Sequence, residues 1–169
     1  VVGQAVPGSP VDVAIVGDLS RQAAALRRSS GDYLLQPLQA TQLGGRSVDR
    51  PQLLRDGDQI QFGGSVKLRF SKPSPLSASA RLDLASFHRF KPSVDAVLLL
   101  ADSCILGPSR GSHVVCPGWT SELLLVRQAD AWHFRTTQEL DANGRKMTGQ
   151  IPMVAGMRLR GEEFSLSIE

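Results

Sequence analysis

The chain has 169 residues, 41% of them hydrophobic, with 19 Lys and Arg against 16 Asp and Glu, a net charge of +3 and a pI near 9.2. Aromatic residues are only 5% and the basic residues are scattered among acids, which argues against nucleic acid as a partner. No run approaches the roughly 18 apolar residues of a membrane span and no signal-peptide pattern opens the chain, and its two cysteines, Cys104 and Cys116, sit among apolar neighbours as buried thiols of a reducing cytoplasm do.

In chain order, Val1-Val2-Gly3 reads as the end of a strand, so a cut N-terminus is expected. Pro7-Gly8-Ser9-Pro10 is a loop, Val11 to Val16 a short strand, and Gly17 to Arg21 a second loop. Ala23 to Arg28 has high helix propensity but is too short for a stable helix. A strand is expected there, turned by Ser29-Ser30-Gly31-Asp32 into Tyr33-Leu34-Leu35. From Leu53 to Phe70 two alternating runs are joined by glycines, with Ile60, Phe62, Val66, Leu68 and Phe70 on one face and Gln59, Gln61, Lys67 and Arg69 on the other. This predicts a β-hairpin, preceded by a turn at Asp56-Gly57-Asp58.

The same arrangement recurs near the C-terminus, where Gly156-Met157-Arg158-Leu159 leads into Phe164 to Ile168. Gly45 and Gly144 are 99 residues apart, and so are Gly57 and Gly156. A tandem repeat follows, with Glu122 to Arg127 opposite Ala23 to Arg28 and Trp132-His133-Phe134 opposite Tyr33-Leu34-Leu35. Lys72 to Ser79 is rich in proline and serine, which predicts a linker. Residues 1–72 then form one copy, 73–79 the linker and 80–169 the second copy, whose strands at Arg81 to Ser86 and Ala96 to Leu106 have no counterpart in the first. Short strands at regular turn spacing predict an all-β fold, two antiparallel β-sandwiches in tandem, the first lacking its opening strands and leaving an edge exposed.

The residues resemble the forkhead-associated domain. Its pattern is met in the first copy by Gly3-Gln4, Ser20-Arg21-Gln22-Ala23, Ala40-Thr41, Gly44-Gly45-Arg46 and Leu54-Arg55-Asp56-Gly57-Asp58-Gln59-Ile60. In the second copy Gly107-Pro108, Thr120-Ser121-Glu122, Asn143-Gly144-Arg145 and Ala155 to Leu159 follow in the same order. The resemblance implies sandwiches whose apical loops bind phosphothreonine peptides. It carries over as phosphopeptide-binding positions Gln4, Ser20, Arg21 and Thr41 in the first copy and Ser121 in the second, with Ser20, Arg21 and Ser121 as the phosphate contacts. Departures accompany it: Gln4 stands for the family's arginine, Ala23 for its structural histidine, the Asn-Gly after Thr41 is missing, and Glu122 replaces an arginine. Arg110 is the residue placed to compensate in the second copy.

No metal site is expected. His113 and Cys116 are three apart on a predicted strand and so face opposite sides, and no fourth ligand for zinc is evident. His88 and His133 lie in no Ser-His-Asp or Cys-His arrangement with a glycine-rich elbow, so neither an enzyme nor a cofactor is expected. Trp119 and Trp132 are expected in the core. The sequence thus points to a non-enzymatic interaction module with a protein or phosphothreonine peptide as partner, or to a degenerate structural repeat that packs against a second copy of itself.

Overall fold

A computed structural model describes all 169 residues, and every regular element in it is a β-strand. No helix is long and apolar enough to cross a membrane. The chain divides into two compact units: Val1–Lys72 with Ala80–Leu99, and Pro73–Ser79 with Leu100–Glu169.

The first unit contains β1 (Val2–Gln4), β2 (Val13–Val16), β3 (Ala24–Ser29), β4 (Asp32–Pro37), β5 (Thr41–Leu43), β6 (Arg46–Val48), β7 (Gln52–Leu54), β8 (Gln59–Phe62), β9 (Val66–Ser71), β10 (Ala80–Leu84), β11 (Arg89–Lys91) and β12 (Ala96–Leu99). They form two six-stranded sheets, β11-β2-β1-β3-β4-β7 and β12-β10-β9-β8-β5-β6. Ile15, Ala24 and Leu35 from the first sheet join Ile60, Phe62, Leu68, Phe70 and Leu82 from the second in one core, all at 0% exposure. Alternation decides the outcome: each buried residue is followed by one that faces outward, as a pleated strand with one wet face requires. The helix-favouring segment before Ser29 is a strand because it pairs with β4, Leu26 opposite Leu35. Tertiary pairing overrides propensity there.

The sequence reading gives Ala80–Leu99 to the second copy, and the structure corrects this. β10 lies antiparallel on β9, with Leu82 opposite Phe70 and Asp83 opposite Arg69, and β12 lies on β10. β11 pairs with β2, placing Phe90 opposite Ile15. The first unit therefore has the strands it was expected to lack, and the edge of β9 is covered. The hydroxyl of Tyr33 donates to the Leu99 carbonyl at 3.1 Å and fastens the end of β12. The repeat could not reveal this, because an offset of 99 labels only strands that occur twice.

The second unit contains β13 (Ser103–Gly107), β14 (Val114–Val115), β15 (Leu123–Gln128), β16 (Ala131–Ala142), β17 (Arg145–Pro152), β18 (Arg158–Arg160) and β19 (Ser165–Ser167). One seven-stranded sheet runs β14-β13-β15-β16-β18-β19, with β17 also paired to β16. The repeat is written in the ladders. Arg27 opposite Leu34 recurs 99 residues on as Val126 opposite His133, Leu35 opposite Gln52 as Phe134 opposite Ile151, Thr41 opposite Val48 as Leu140 opposite Met147, and Leu43 opposite Ile60 as Ala142 opposite Leu159. Even the parallel pair β1 and β2 has its match in β13 and β14. What differs is continuity: β16 spans the stretch that β4 and β5 share in the first unit, bending at a register shift between Thr136 and Leu140. The hairpin at Asn143-Gly144 has both φ angles positive, 53° and 84°, the geometry for which Asn-Gly is suited.

The stretch Pro73–Ser79, expected to be a linker, is part of the second unit. Ser79 is fully buried. Its Oγ donates to the Ser103 carbonyl at 2.5 Å and accepts from the Ala101 N–H at 2.8 Å, while Ser77 Oγ donates to the same carbonyl at 2.6 Å. Hydroxyl groups hold the segment where apolar side chains would ordinarily do so, and a composition-based reading does not register that. The two tryptophans are half-buried and lie outside the core; Trp119 stacks on Phe164 with centroids 4.3 Å apart.

Candidate functional site

In the first unit the segment after β1 and the loop from β2 to β3 meet at an open cleft of about 600 Å³. Its walls are Val6 to Pro10 on one side and Ser20, Arg21 and Gln22 on the other, with Gln39 between β4 and β5 closing the end. Two backbone bonds fix the second wall: Gln4 N–H donates to Ser20 O at 3.1 Å and Ala23 N–H to Val2 O at 2.9 Å. The Ala23 carbonyl accepts from the N–H groups of both Leu38 and Gln39, so this small buried residue ties the loop to the next turn. Ser9 Oγ donates to Arg21 O at 3.2 Å and draws the walls together.

The lining is polar and carries one formal charge. Arg21 is exposed, pairs with no carboxylate, and no Asp or Glu lines the cleft. Ser20 with its hydroxyl, Arg21 with its guanidinium and Gln22 with its amide stand on one wall, and Gln39 brings a further amide at the end. Such a set can neutralise and hydrogen-bond an anion of the size of a phosphoryl group.

Of the residues the sequence selects, Ser20 and Arg21 line this cleft and the other two of the first copy do not. Gln4 turns its side chain away, donating from Nε2 to Gly17 O at 3.1 Å, and so braces the β2–β3 loop from behind. Thr41 is 3% exposed and donates from Oγ1 to Gln39 O at 2.8 Å. Its hydroxyl is spent inside the protein, which removes it as a ligand contact. Ser9, Gln22 and Gln39 were missed. The Pro-Gly-Ser-Pro loop was visible in the sequence, but nothing in it indicated which loop it would face.

In the second unit Ser121 and Glu122 line a smaller cleft of about 530 Å³ with Leu124, Arg135, Thr136, Thr137 and Gly149. Arg110 is not among the lining residues, so it does not supply the compensating charge expected of it. Arg135, brought there by β16, does share the cleft with the carboxylate of Glu122. Cation and anion oppose one another at this site.

The remaining reactive side chains are built into the fold. Burial pushes the Cys104 thiol up to about 11, so it stays protonated at neutral pH. His113 is 2% exposed, with Nδ1 accepting from Ile105 N–H at 3.0 Å and Nε2 within 3.1 Å of Ser79 O. This pairing requires the neutral ring with its proton on Nε2, and burial lowers its pKa below 6.5. No three His, Cys, Asp or Glu side chains converge as a metal would need. Comparison with protein-family models, with curated proteins and with solved structures gives no match to this chain.

Proposed function

We propose that the chain is a non-enzymatic protein-interaction module whose first unit takes the phosphorylated threonine of a partner peptide in the Ser20–Arg21 cleft. The observation that carries this reading is the cleft itself: a hydroxyl and an unpaired guanidinium on adjacent residues, facing a space lined by no carboxylate. The resemblance to forkhead-associated domains supports the same ligand. The departures from that family set the strength. Gln4 is turned away and the Asn-Gly after Thr41 is missing, so about two charge-assisted or backbone-gripping bonds are lost, each contributing on the order of 1.5–3 kcal/mol. Binding in the micromolar range or weaker is expected. The second unit, with Glu122 beside Ser121, is expected to bind phosphate far more weakly still.

Calorimetric titration with phosphothreonine peptides and their unphosphorylated twins tests the reading. Phosphate-dependent binding that falls about 10- to 100-fold in Arg21→Ala is the expected result. Sub-micromolar binding that survives Arg21→Ala, or affinity indifferent to the phosphate, would overturn it.

A further inference from the structure

His88 stands on the turn between β10 and β11, outside the lining of the Ser20–Arg21 cleft. β11 pairs antiparallel with β2, Arg89 opposite Val16, and one step further along that ladder His88 faces Gly17, the first residue of the β2–β3 loop. Its imidazole fills the room that a side chain at Gly17 would need. A Cβ placed there would lie 2.6 Å from His88 Cδ2, 3.2 Å from His88 Nε2 and 3.0 Å from Val66 Cγ2. The φ of Gly17 lies outside the left-handed region, so the close approach of the ring, and not backbone freedom, calls for glycine here.

The ring is fixed from behind. Ser86 Oγ accepts from the Lys67 N–H at 3.0 Å and stands 2.8 Å from His88 Nδ1, while Ala85 N–H donates to Lys67 O at 2.9 Å. These bonds tie the turn to the start of β9, where Val66 is at 0% exposure. The serine oxygen thus holds backbone on one side and imidazole on the other, a bracing arrangement. Beyond Gly17 the loop is held from the opposite side: Gly17 O accepts from Gln4 Nε2 and Ser20 O from the Gln4 N–H, both at 3.1 Å.

We propose that His88 is a positioning residue for the Ser20–Arg21 cleft: its ring, wedged against Gly17, fixes the entry to the loop and so sets the Ser20 hydroxyl and the Arg21 guanidinium before a ligand arrives. The proposal rests on the phosphopeptide reading of that cleft. A loop already held in its binding shape loses less freedom on binding, and the saving appears as affinity. Control of the cleft therefore extends to a turn far from Ser20 in sequence, brought to the loop by the pairing of β11 with β2.

Three variants of the intact chain carry the test: Gly17→Ala, His88→Ala and the two together. They are read by calorimetric titration with phosphothreonine peptides and by hydrogen exchange at the Gln4 amide, which donates to Ser20 O. Each single change is expected to weaken binding by about tenfold. Each is also expected to speed exchange at Gln4 while the amides of β4 and β8 keep theirs, which a general loss of stability would not allow. The two changes are expected to be coupled: once the ring is gone the added methyl meets less, and Gly17→Ala then costs less than about threefold. Equal cost of Gly17→Ala with and without His88 would overturn the proposal, as would unchanged binding or unchanged Gln4 exchange in His88→Ala. Should His88→Ala fail to fold, His88→Asn keeps an acceptor near Ser86 but not the ring edge at Gly17, and unchanged Gln4 exchange in that variant overturns the proposal equally. Failure of the unsubstituted chain to bind any phosphothreonine peptide would count against the function assigned to the cleft, whereas the brace at Gly17 would still stand or fall on the exchange at Gln4.

Discussion

A Cβ placed on Gly3 would stand 1.9 Å from the carbonyl oxygen of Arg21, so the strand that opens the first unit and the loop that carries Ser20 run in backbone contact. Gly63 closes on the same loop from elsewhere: at φ +55° its Cβ would lie 2.8 Å from Asp18 O. Gly3→Ala must displace the loop. It is expected to destabilise the first unit by about 1–3 kcal/mol, the usual range for overpacking, and to abolish the peptide binding proposed for the cleft. Urea unfolding measures the first effect, with Gly64→Ala, whose Cβ would meet nothing within 4 Å, as the mild control. Equal stability of the two variants would mean that Gly3 does not hold the loop.

The reassignment of β10 to β12 makes a sharp prediction for fragments. Residues 1–72 expressed alone leave the outward edge of β9 and the buried face around Leu68 and Phe70 without Leu82. That fragment is expected to be unfolded or aggregated, whereas residues 1–99 should give a cooperative transition and dispersed amide resonances. A well-folded 1–72 fragment would show that the later strands are dispensable.

Ser79 both donates to Ser103 O and accepts from Ala101 N–H in a fully buried setting. Ser79→Ala strands a buried N–H, which costs about 1–3 kcal/mol. Ser77→Ala removes a second donor to the Ser103 carbonyl and leaves the Ser79 N–H without the Ser77 Oγ that accepts from it at 3.1 Å, so it is expected to cost a comparable amount. Thermal melts of the two variants side by side give the comparison, and a loss confined to one of them would contradict the bonding described.

His113 makes stability depend on pH. Burial holds its folded pKa below the ordinary 6.5, so the unfolded chain takes up this proton first as pH falls. The contribution is unchanged well above pH 6.5, and stability declines as pH drops from 6.5 to the folded pKa, by at most about 1.4 kcal/mol per pH unit from this one group. Protonated Nδ1 would also face the Ile105 N–H, donor against donor. His113→Asn keeps an acceptor near that position and removes the titration. The difference in melting temperature between pH 7 and pH 5 is expected to shrink in the variant; an unchanged difference would assign the pH dependence elsewhere.

The strands were legible wherever alternation was strong. Ile60, Phe62, Val66, Leu68 and Phe70 were placed inward from the sequence and all are at 0% exposure. The glycine offset found a repeat that the ladder registers reproduce. Membership was harder: Ala80–Leu84 has the same alternation whichever unit it joins, and only the partner opposite Leu82 decides. The cleft was half legible, because Ser20 and Arg21 are adjacent in sequence and a loop exposes both, while Ser9 and Gln39 arrive from other loops. Gln4 and Thr41 lie outside the cleft and bond carbonyls of the fold: a polar side chain near a loop can satisfy a carbonyl of the fold as readily as a ligand, and spacing does not distinguish the two.

The order in which the ribosome delivers these strands has a consequence. After Lys72 has emerged, the first unit still lacks β10 and β11, which flank β9 and β2, and β12, which flanks β10; the last of the three is complete only at Leu99. At elongation rates of about 5–20 residues per second, an open apolar edge persists for on the order of one to five seconds in every round of synthesis. During that interval the nascent chain presents apolar surface of the kind that chaperones bind, and slowing translation between Pro73 and Leu99 would lengthen its exposure.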